Sequence, residues 1–554
     1  MKDGDFGGRR PRRSDLWKDE PLLEEVLSGI LRLMISGEIS SGKELQEAKI
    51  RLSRNTGSHS IPTNSMLLDM VREREPEKEG DLIHLLQKKP TRTLSGVAVV
   101  AVMTSPYPCP HGKCIFCPGG SDQEVPTPQS YTGGEPAAMR AAQNNFDPRM
   151  QVLRRIEQMV ETGHPTDKID LILMGGTITA RPLKYQIEFV KGCLDGMNGS
   201  ISATFEEAAR HNETGLHRCI GMTFETRPDW FDEEEADFMI NLGATRLELG
   251  IQSAFDGPLV ESRRGHTVEE SVKATRLAKD TGLKVGYHLM PGIPGSTPEM
   301  DVETGRRIFS DPGFMPDMVK VYPTLVIKGT ELYDMWMKGE YEPLSTDDAA
   351  KVVAEIKRIT PPWVRIQRVQ RDIPSPLVEA GVKKSNLRQL AGRELETLGF
   401  ECRCIRCREI GHRIGRGEDL PLPGDVSLKR REYEASNGKE VFLSFEADPE
   451  DALVGYLRLR KPSHDAHRPE VQDSGIIREL KVFGPMVPIG KSSMKDWQHR
   501  GYGGKLQEYA CSIVRDEWGL ERILVTSGIG AREYYRKFGF ERMGPYMGKD
   551  VSGS

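Results

Sequence analysis

The densest chemistry in this sequence lies at Cys109, Cys114 and Cys117, in the run CPHGKCIFC that leads into Pro118, Gly119 and Gly120. Three thiolates within nine residues can each reach a different iron of one 4Fe-4S cube, leaving the fourth iron open to a small molecule. A structural zinc knuckle is the alternative, with His111 as fourth ligand. A second triplet, Cys402, Cys404 and Cys407, has the CxCxxC spacing of a tetrahedral zinc, with His412 the most accessible fourth ligand. Surface thiols or a second iron–sulfur cluster are the other readings there. Near the end of the chain, QHRGYGG from Gln498 to Gly504 reads as a turn opening a helix. Such a helix start offers free backbone N–H groups and a favourable dipole to a pyrophosphate.

Strands must aim these loops. The cluster loop follows an apolar, β-branched run at 95–103 that reads as a buried strand. Further runs at 169–174, 221–225, 245–251, 284–290 and 318–322 are separated by segments long enough for helices. Six β/α units imply a parallel sheet curled into an open barrel, with its working residues at the carboxyl ends of the strands. That arrangement gathers Gly175, Gly176 and Thr177, then Glu225 to Pro228, Gln252, Ser253, Pro291 and Gly292 around the cysteine loop. The glycines allow close backbone approach to a ligand. Glu225 and Gln252 suit the polar groups of S-adenosylmethionine (SAM), whose amino and carboxylate groups would bind the open iron, so that the cofactor carries the radical chemistry.

Elsewhere, Leu23, Val26, Leu27, Ile30, Leu31 and Met34 recur at helical spacing, and a second helix is expected at 44–54. Arg9, Arg10, Arg12 and Arg13 form a basic arm that is either a solvated tail or, with Arg51, Arg54, Lys88, Lys89 and Arg92, a grip on phosphates. From about residue 427 the pattern changes to hairpins at 431–433, 441–447 and 453–460, then a strand at 476–483. After it come the glycine turn with a helix to 518, a strand at 523–527 and an aromatic helix bearing Tyr534 and Tyr535.

A chain of 554 residues needs two or three cores. Its net charge of -5 argues against wholesale nucleic-acid binding, yet residues 357–431 carry 17 Lys and Arg against 9 Asp and Glu, a local +8. No apolar run reaches membrane-spanning length, and residues 1–20 lack the apolar core of a secretory signal. A cytoplasmic protein without a membrane partner is expected. Cysteines in tight clusters fit metals in a reducing compartment, with Cys193, Cys219 and Cys511 left for packing.

The spacing CxxxxCxxC departs by one residue from the CxxxCxxC of the radical SAM superfamily. Together with QSYTGGEPAAMRA, LILMGGTITA, ETRPDWF, TRLELGIQS, HLMPGIPG, KVYPTLVIKGTELY and PPWVRIQRVQRDIP, it resembles the Elongator protein three family, the catalytic subunit of Elongator, over nearly everything after residue 90. The C-terminal order resembles the GNAT acetyltransferase superfamily, whose QxxGxG loop cradles coenzyme A. The resemblance implies an α/β fold in four parts. These are a helical N-terminal extension at 1–93, open to tRNA binding, and an open radical SAM β/α barrel at 94–374. A basic zinc-bearing linker at 375–424 and an α+β acetyltransferase-like domain at 425–554 follow.

The resemblance also implies a reaction: a deoxyadenosyl radical abstracts hydrogen from the methyl of acetyl-CoA, and the carbon radical adds to carbon 5 of a tRNA wobble uridine. Hydrolysis from CoA then leaves carboxymethyluridine. Implied with it are the 4Fe-4S cluster on Cys109, Cys114 and Cys117, and SAM on Gly175, Gly176, Thr177, Glu225 and Gln252. Zinc falls to Cys402, Cys404, Cys407 and His412. Acetyl-CoA, the co-substrate, falls to Lys168, Arg478, Glu479, Leu480, Lys481, Gly501, Tyr502, Gly503 and Tyr534. Lys320, Tyr322 and Lys328 are candidates for contact with the acetyl group or uridine, or ordinary rim residues; Tyr534 is the candidate beside the thioester. The partners would be a tRNA anticodon stem-loop and an electron donor, with a homodimer or accessory subunits open. The rival readings are a protein lysine acetyltransferase with a structural iron–sulfur barrel, and a noncatalytic tRNA-binding scaffold.

Overall fold

Alternate burial along the β-branched runs is what makes a layered sheet of them. The computed structural model describes residues 20–89, 92–121, 123, 125–416, 418, 423–448, 450–483 and 501–553. In it β1 (Ala98–Met103), β2 (Lys168–Met174), β3 (Arg218–Thr226), β4 (Arg246–Gln252), β5 (Lys284–Leu289) and β6 (Met318–Val321) lie parallel in chain order. Ile169, Leu171 and Leu173 of β2 are fully buried, whereas the intervening Lys168, Asp170 and Ile172 are half-buried, as expected when one face packs under helices and the other lines a barrel interior. The short β7 (Val326–Ile327) leaves this sheet, and β8 (Arg365–Val369) adds a seventh parallel strand beside β6. The sequence reading counted six because Arg365 and Arg368 interrupt the apolar pattern of β8; Arg365 is satisfied by Glu409 at 2.7 Å.

Four helices, α1 (Pro21–Ile35), α2 (Gly42–Thr56), α3 (Asn64–Arg74) and α4 (Glu79–Leu86), build a separate unit that also takes in residues 154–166. The six apolar residues of α1 read from the sequence are all buried in its core. α2 starts at a reciprocal Ser41–Glu44 capping box and stops at Gly57 in the left-handed conformation. The basic arm at residues 9–13 lies outside the described residues.

In the linker, β9 (Val378–Ala380) pairs with β7. Beyond it a second sheet forms from β10 (Val426–Ala435), β11 (Gly438–Ala447), β12 (Ala452–Lys461), β13 (Ser474–Val482), β14 (Arg522–Val525), β15 (Glu541–Met543) and β16 (Tyr546–Asp550), in the order β10-β11-β12-β13-β14-β16-β15. Only β13 and β14 are parallel, joined across the helix Tyr502–Ser512, which runs on through a π-helical turn at Ile513–Glu517.

A buried ion cluster docks this sheet on the barrel. Arg478 of β13 grips Asp317, just before β6, with two bonds of 2.6 and 2.7 Å, and adds Glu440 at 2.7 Å. Lys279 stands between Asp317 and Glu440, while Arg460 reaches Asp280 at 2.6 Å. Arg458 joins Glu479 at 3.0 Å and Asp317 at 3.4 Å. Asp317, Asp280, Glu440 and Glu479 thus balance Arg478, Arg458, Arg460 and Lys279, which is the condition for burying so many charges.

Candidate active site

β1 ends at Met103 and the chain passes at once into the cysteine loop. Gln129 clamps that loop, accepting from the Cys109 N–H and donating to the Gly112 carbonyl, both at 2.8 Å. The Ser130 N–H points at the Cys117 sulfur, 3.0 Å away. Burial pushes the Cys117 thiol up to about 11 and the Cys109 thiol upward too. These sulfurs therefore ionise only beside positive charge, which an iron core would supply together with Arg227 and Arg264.

β2 delivers the glycine pair. Gly175 has φ +139°, and a Cβ there would lie 2.0 Å from Thr104 Oγ1; a Cβ on Gly176, at φ +88°, would come within 3.7 Å of the Cys109 sulfur. Thr177 Oγ1 is 3.5 Å from the same sulfur. β4 delivers Gln252 at φ +63°, a conformation rare for any residue but glycine, with its buried Oε1 unpartnered. Backbone strain and an unspent acceptor at one residue are what a ligand contact would use.

Between these loops sits a charged array on adjacent strands. Lys320 of β6 places its Nζ 2.9 Å from Glu225 Oε1 at the end of β3 and also pairs with Glu248 of β4. His288 of β5 meets Glu248 at 2.9 Å, and the Tyr131 hydroxyl donates to Glu225 at 3.4 Å. Tyr322 packs edge-on against His288. Burial works against the Lys320 charge, but Glu225 and Glu248 outweigh it and hold its pKa above the ordinary lysine value. Glu248, though buried, is kept well below the usual carboxylate range by Lys320, His288 and Arg246. Glu225, Glu248 and His288 together form a donor set of metal-binding dimensions, yet the Lys320 ammonium already supplies a cation to both carboxylates. Lys328 is exposed on the turn after β7 and stands apart from these contacts.

The sulfurs of Cys402, Cys404 and Cys407 lie within 4.8 Å of one another. Zn–S bonds of about 2.3 Å would place ligand sulfurs about 3.8 Å apart, so the trio fits one tetrahedral ion. Hydrogen bonds from Cys402 and Cys407 hold the Cys404 thiol well below its ordinary value. His412 is not among the donors drawn into that group; its backbone N–H bonds the Glu409 carbonyl in the following short helix. The three sulfurs of the 109–117 loop form no such knot among the described residues, and His111 Nε2 sits 3.2 Å from the Cys114 sulfur. Three arginines beside the 402–407 triplet are held in ion pairs. Arg408 is buried against Glu446 and Asp451, and Arg403 and Arg413 pair with Asp451 and Glu418.

In the second sheet β13 and β14 pair only from Ser474 to Ile477, the last bond being Thr526 N–H to the Ile477 carbonyl. Past that point β13 keeps β12 as its partner and, among the described residues, no longer pairs with β14. The helix at Tyr502 starts from Gly501 at φ +75°. A Cβ on Gly503 would lie 2.6 Å from the Tyr534 hydroxyl, which also accepts from Gln507 at 3.2 Å. Residues 498–500 of the glycine turn lie outside the described residues. Three side chains expected at coenzyme A are committed elsewhere: Arg478 and Glu479 to the docking cluster, and Tyr502 to the sheet core against Phe445. Lys168 opens β2, paired with Arg218, rather than preceding the strand.

The sequence reading passed over Glu248 and His288. Their signal was present, since each is a polar residue at a barrel-facing position inside an apolar strand. It also passed over Arg264, which carried no pattern.

Comparison with known proteins matches residues 23–94 to the ELP3 N-terminal domain, 105–308 to the radical SAM superfamily, 316–397 to the radical SAM C-terminal domain and 416–540 to the acetyltransferase (GNAT) family. The chain is 50% identical over 538 residues, 96% of its length and 100% of the relative's, to a tRNA uridine(34) acetyltransferase of Methanocaldococcus infernus. It is 41% identical over 548 residues, 98% of its length and 99% of the relative's, to human Elongator complex protein 3. The chain belongs to the Elongator protein 3 family. A solved structure of M. infernus Elp3 with an N-terminal deletion is 48% identical, covers 82% of this chain and 99% of its own, and superposes with a TM-score of 0.73.

In this family member the radical SAM part brings a 4Fe-4S cluster and SAM, and the acetyltransferase part brings acetyl-CoA. The residues present fit those groups: a loop with two buried thiols and one half-buried thiol near two arginines, a glycine cradle touching it, and a strand that leaves its neighbour beside a glycine-headed helix. No helix among the described residues is long and apolar enough to cross a membrane.

Proposed function

We propose that this protein carboxymethylates carbon 5 of uridine 34 in the tRNA anticodon, drawing the two-carbon unit from acetyl-CoA. The observation that carries the reading is the joining of two sites in one body: the barrel mouth with its cysteine loop and glycine cradle, and the end of β13 with its glycine-headed helix, docked through the Asp317–Arg478 ion cluster. The substrate follows from relatives named tRNA uridine(34) acetyltransferase.

When bound, the cluster and SAM supply one-electron cleavage to a carbon radical. The chain's own residues do the rest. Cys109, Cys114 and Cys117 would ligate the cluster, and Gly175, Gly176, Thr177 and Gln252 would hold SAM against it, the unspent Gln252 acceptor taking a donor hydrogen. Lys320, fixed between Glu225 and Glu248, keeps a charge and its protons at the barrel floor, where they can orient a carbonyl or a base. The N–H groups heading the helix at Tyr502 would take the pyrophosphate of coenzyme A, and the free edge of β13 at 478–482 its amide arm. Tyr534, at the Gly503 turn, would sit by the thioester. Cys402, Cys404 and Cys407 would hold zinc in the linker. A tRNA anticodon stem-loop, a one-electron donor and a cytoplasmic setting complete the proposal.

The test is anaerobically reconstituted protein with SAM, dithionite, methyl-deuterated acetyl-CoA and unmodified tRNA. Mass spectrometry should find deuterium in 5'-deoxyadenosine and carboxymethyluridine in the digested RNA. Acetyl transfer to a lysine peptide, with neither signal and an intact cluster, would replace this reading with protein acetylation.

A further inference from the structure

Arg264 is a buried cation without a carboxylate. It is 7% exposed, and among the described residues no Asp or Glu lies within ion-pair distance of it. Its Nη2 donates to the Gly250 carbonyl of β4 at 2.7 Å, and its Nη1 stands 3.4 Å from the Cys114 sulfur. Its Nε is buried and unpartnered. The segment that carries it is fastened to the cysteine loop: the Ile115 N–H bonds the Ser262 carbonyl, and a Cβ on Gly265, at φ +68°, would lie 3.1 Å from the His111 Cβ. Arg227 lies close enough to oppose its charge, but Arg227 has Asp229 at 2.8 Å as its own counter-ion. A guanidinium taken out of water without an anion costs several kcal/mol, so the Arg264 charge must be answered by what its fork touches, the sulfur of Cys114.

We infer that Arg264 is a positioning residue that raises the reduction potential of the cluster on the 109–117 loop, by setting an uncompensated positive charge and an N–H donor against the Cys114 ligand. Each electron added to a thiolate-ligated cluster increases its negative charge, so a fixed cation beside one ligand favours the reduced form, and a hydrogen bond to the sulfur acts in the same direction. The Gly250 carbonyl fixes the guanidinium from the far side, so the charge cannot swing away to solvent. The inference rests on Cys109, Cys114 and Cys117 being the ligands, which the iron content of Cys114→Ala tests separately; it does not depend on the tRNA or acetyl-CoA steps.

The experiment is a redox titration of the reconstituted full chain, followed by the electron paramagnetic resonance signal of the reduced cluster, with iron and sulfide measured on each sample. Arg264→Met should lower the reduced-to-oxidised ratio at a fixed solution potential at least tenfold, a shift of about 59 mV for one electron. Arg264→Lys, which keeps the charge, should lose less. An unchanged midpoint in Arg264→Met at full iron content would overturn the inference. Should Arg264→Met bind no iron, Arg264→Gln and Arg264→Lys carry the comparison, with Gln the more negative. Loss of iron in all three would also overturn it, assigning Arg264 to loop assembly instead.

Discussion

Lys320 decides whether two buried carboxylates can coexist. Glu225 and Glu248 both point at one ammonium; Glu248 also has Arg246 at 3.2 Å and a bond from His288, but Lys320 is the cation the two carboxylates share. Lys320→Met takes away the cation that the two carboxylates share, and removing one partner from a buried charge group costs about 3 kcal/mol; urea denaturation should register it. The same change frees the Glu225, Glu248 and His288 donors, whose atoms lie within 4.8 Å of one another. Added Co2+ should then give a visible absorption band that the unaltered protein lacks, and equal stability with no band would show that the lysine is not the internal cation. Gly175 carries a second prediction at this scale. A Cβ would overlap Thr104 Oγ1, and φ +139° strains any side chain. Gly175→Ala should weaken SAM binding at least tenfold by calorimetry while iron content changes little; adding Thr104→Ala relieves the overlap but not the strain, and should recover only part.

At the scale of elements, β13 does two jobs. Its backbone leaves β14 after Ile477, at the edge proposed for coenzyme A, while Arg478 and Glu479 enter the docking ion cluster. Burial opposes the Glu479 charge, but Lys284, Arg458 and Lys481 outweigh it and hold its pKa at about 2 against an ordinary 4.5. A depressed carboxylate stabilises the folded state fully above its unfolded pKa, and that contribution fades as pH falls through the folded value. Docking should therefore weaken from about pH 4.5 to 2, by a few kcal/mol for this group at 1.36 kcal/mol per unit. Glu479→Gln should flatten that part of the acid denaturation curve; an unchanged slope would remove Glu479 from the docking account.

For the whole molecule, the sequence disclosed what is periodic or local and hid what is assembled across the chain. The barrel strands, the buried face of α1 and the CxCxxC knot could all be read because their signals lie within a few residues. β8 escaped because its Arg365 faces a partner 44 residues away, and the docking cluster because Asp317 and Arg478 are 161 residues apart. His412 reads as a ligand by proximity along the chain, and its ring nitrogens do not join the three sulfurs within 4.8 Å. The hidden part carries the last prediction. Because barrel and sheet share one balanced set of buried charges, neither can leave without stranding ions of the other, so they should unfold in a single transition. Asp317→Asn takes one carboxylate partner from Arg478, Arg458 and Lys279 together. It should cost about 3 to 5 kcal/mol and split that transition in two. Hydrogen exchange read by mass spectrometry at intermediate urea would then show β10 to β13 exchanging at a different rate from β1 to β6, whereas the unaltered protein exchanges both together. Separate transitions in the unaltered protein would mean that the ion cluster records the contact between the two sheets without coupling their stabilities.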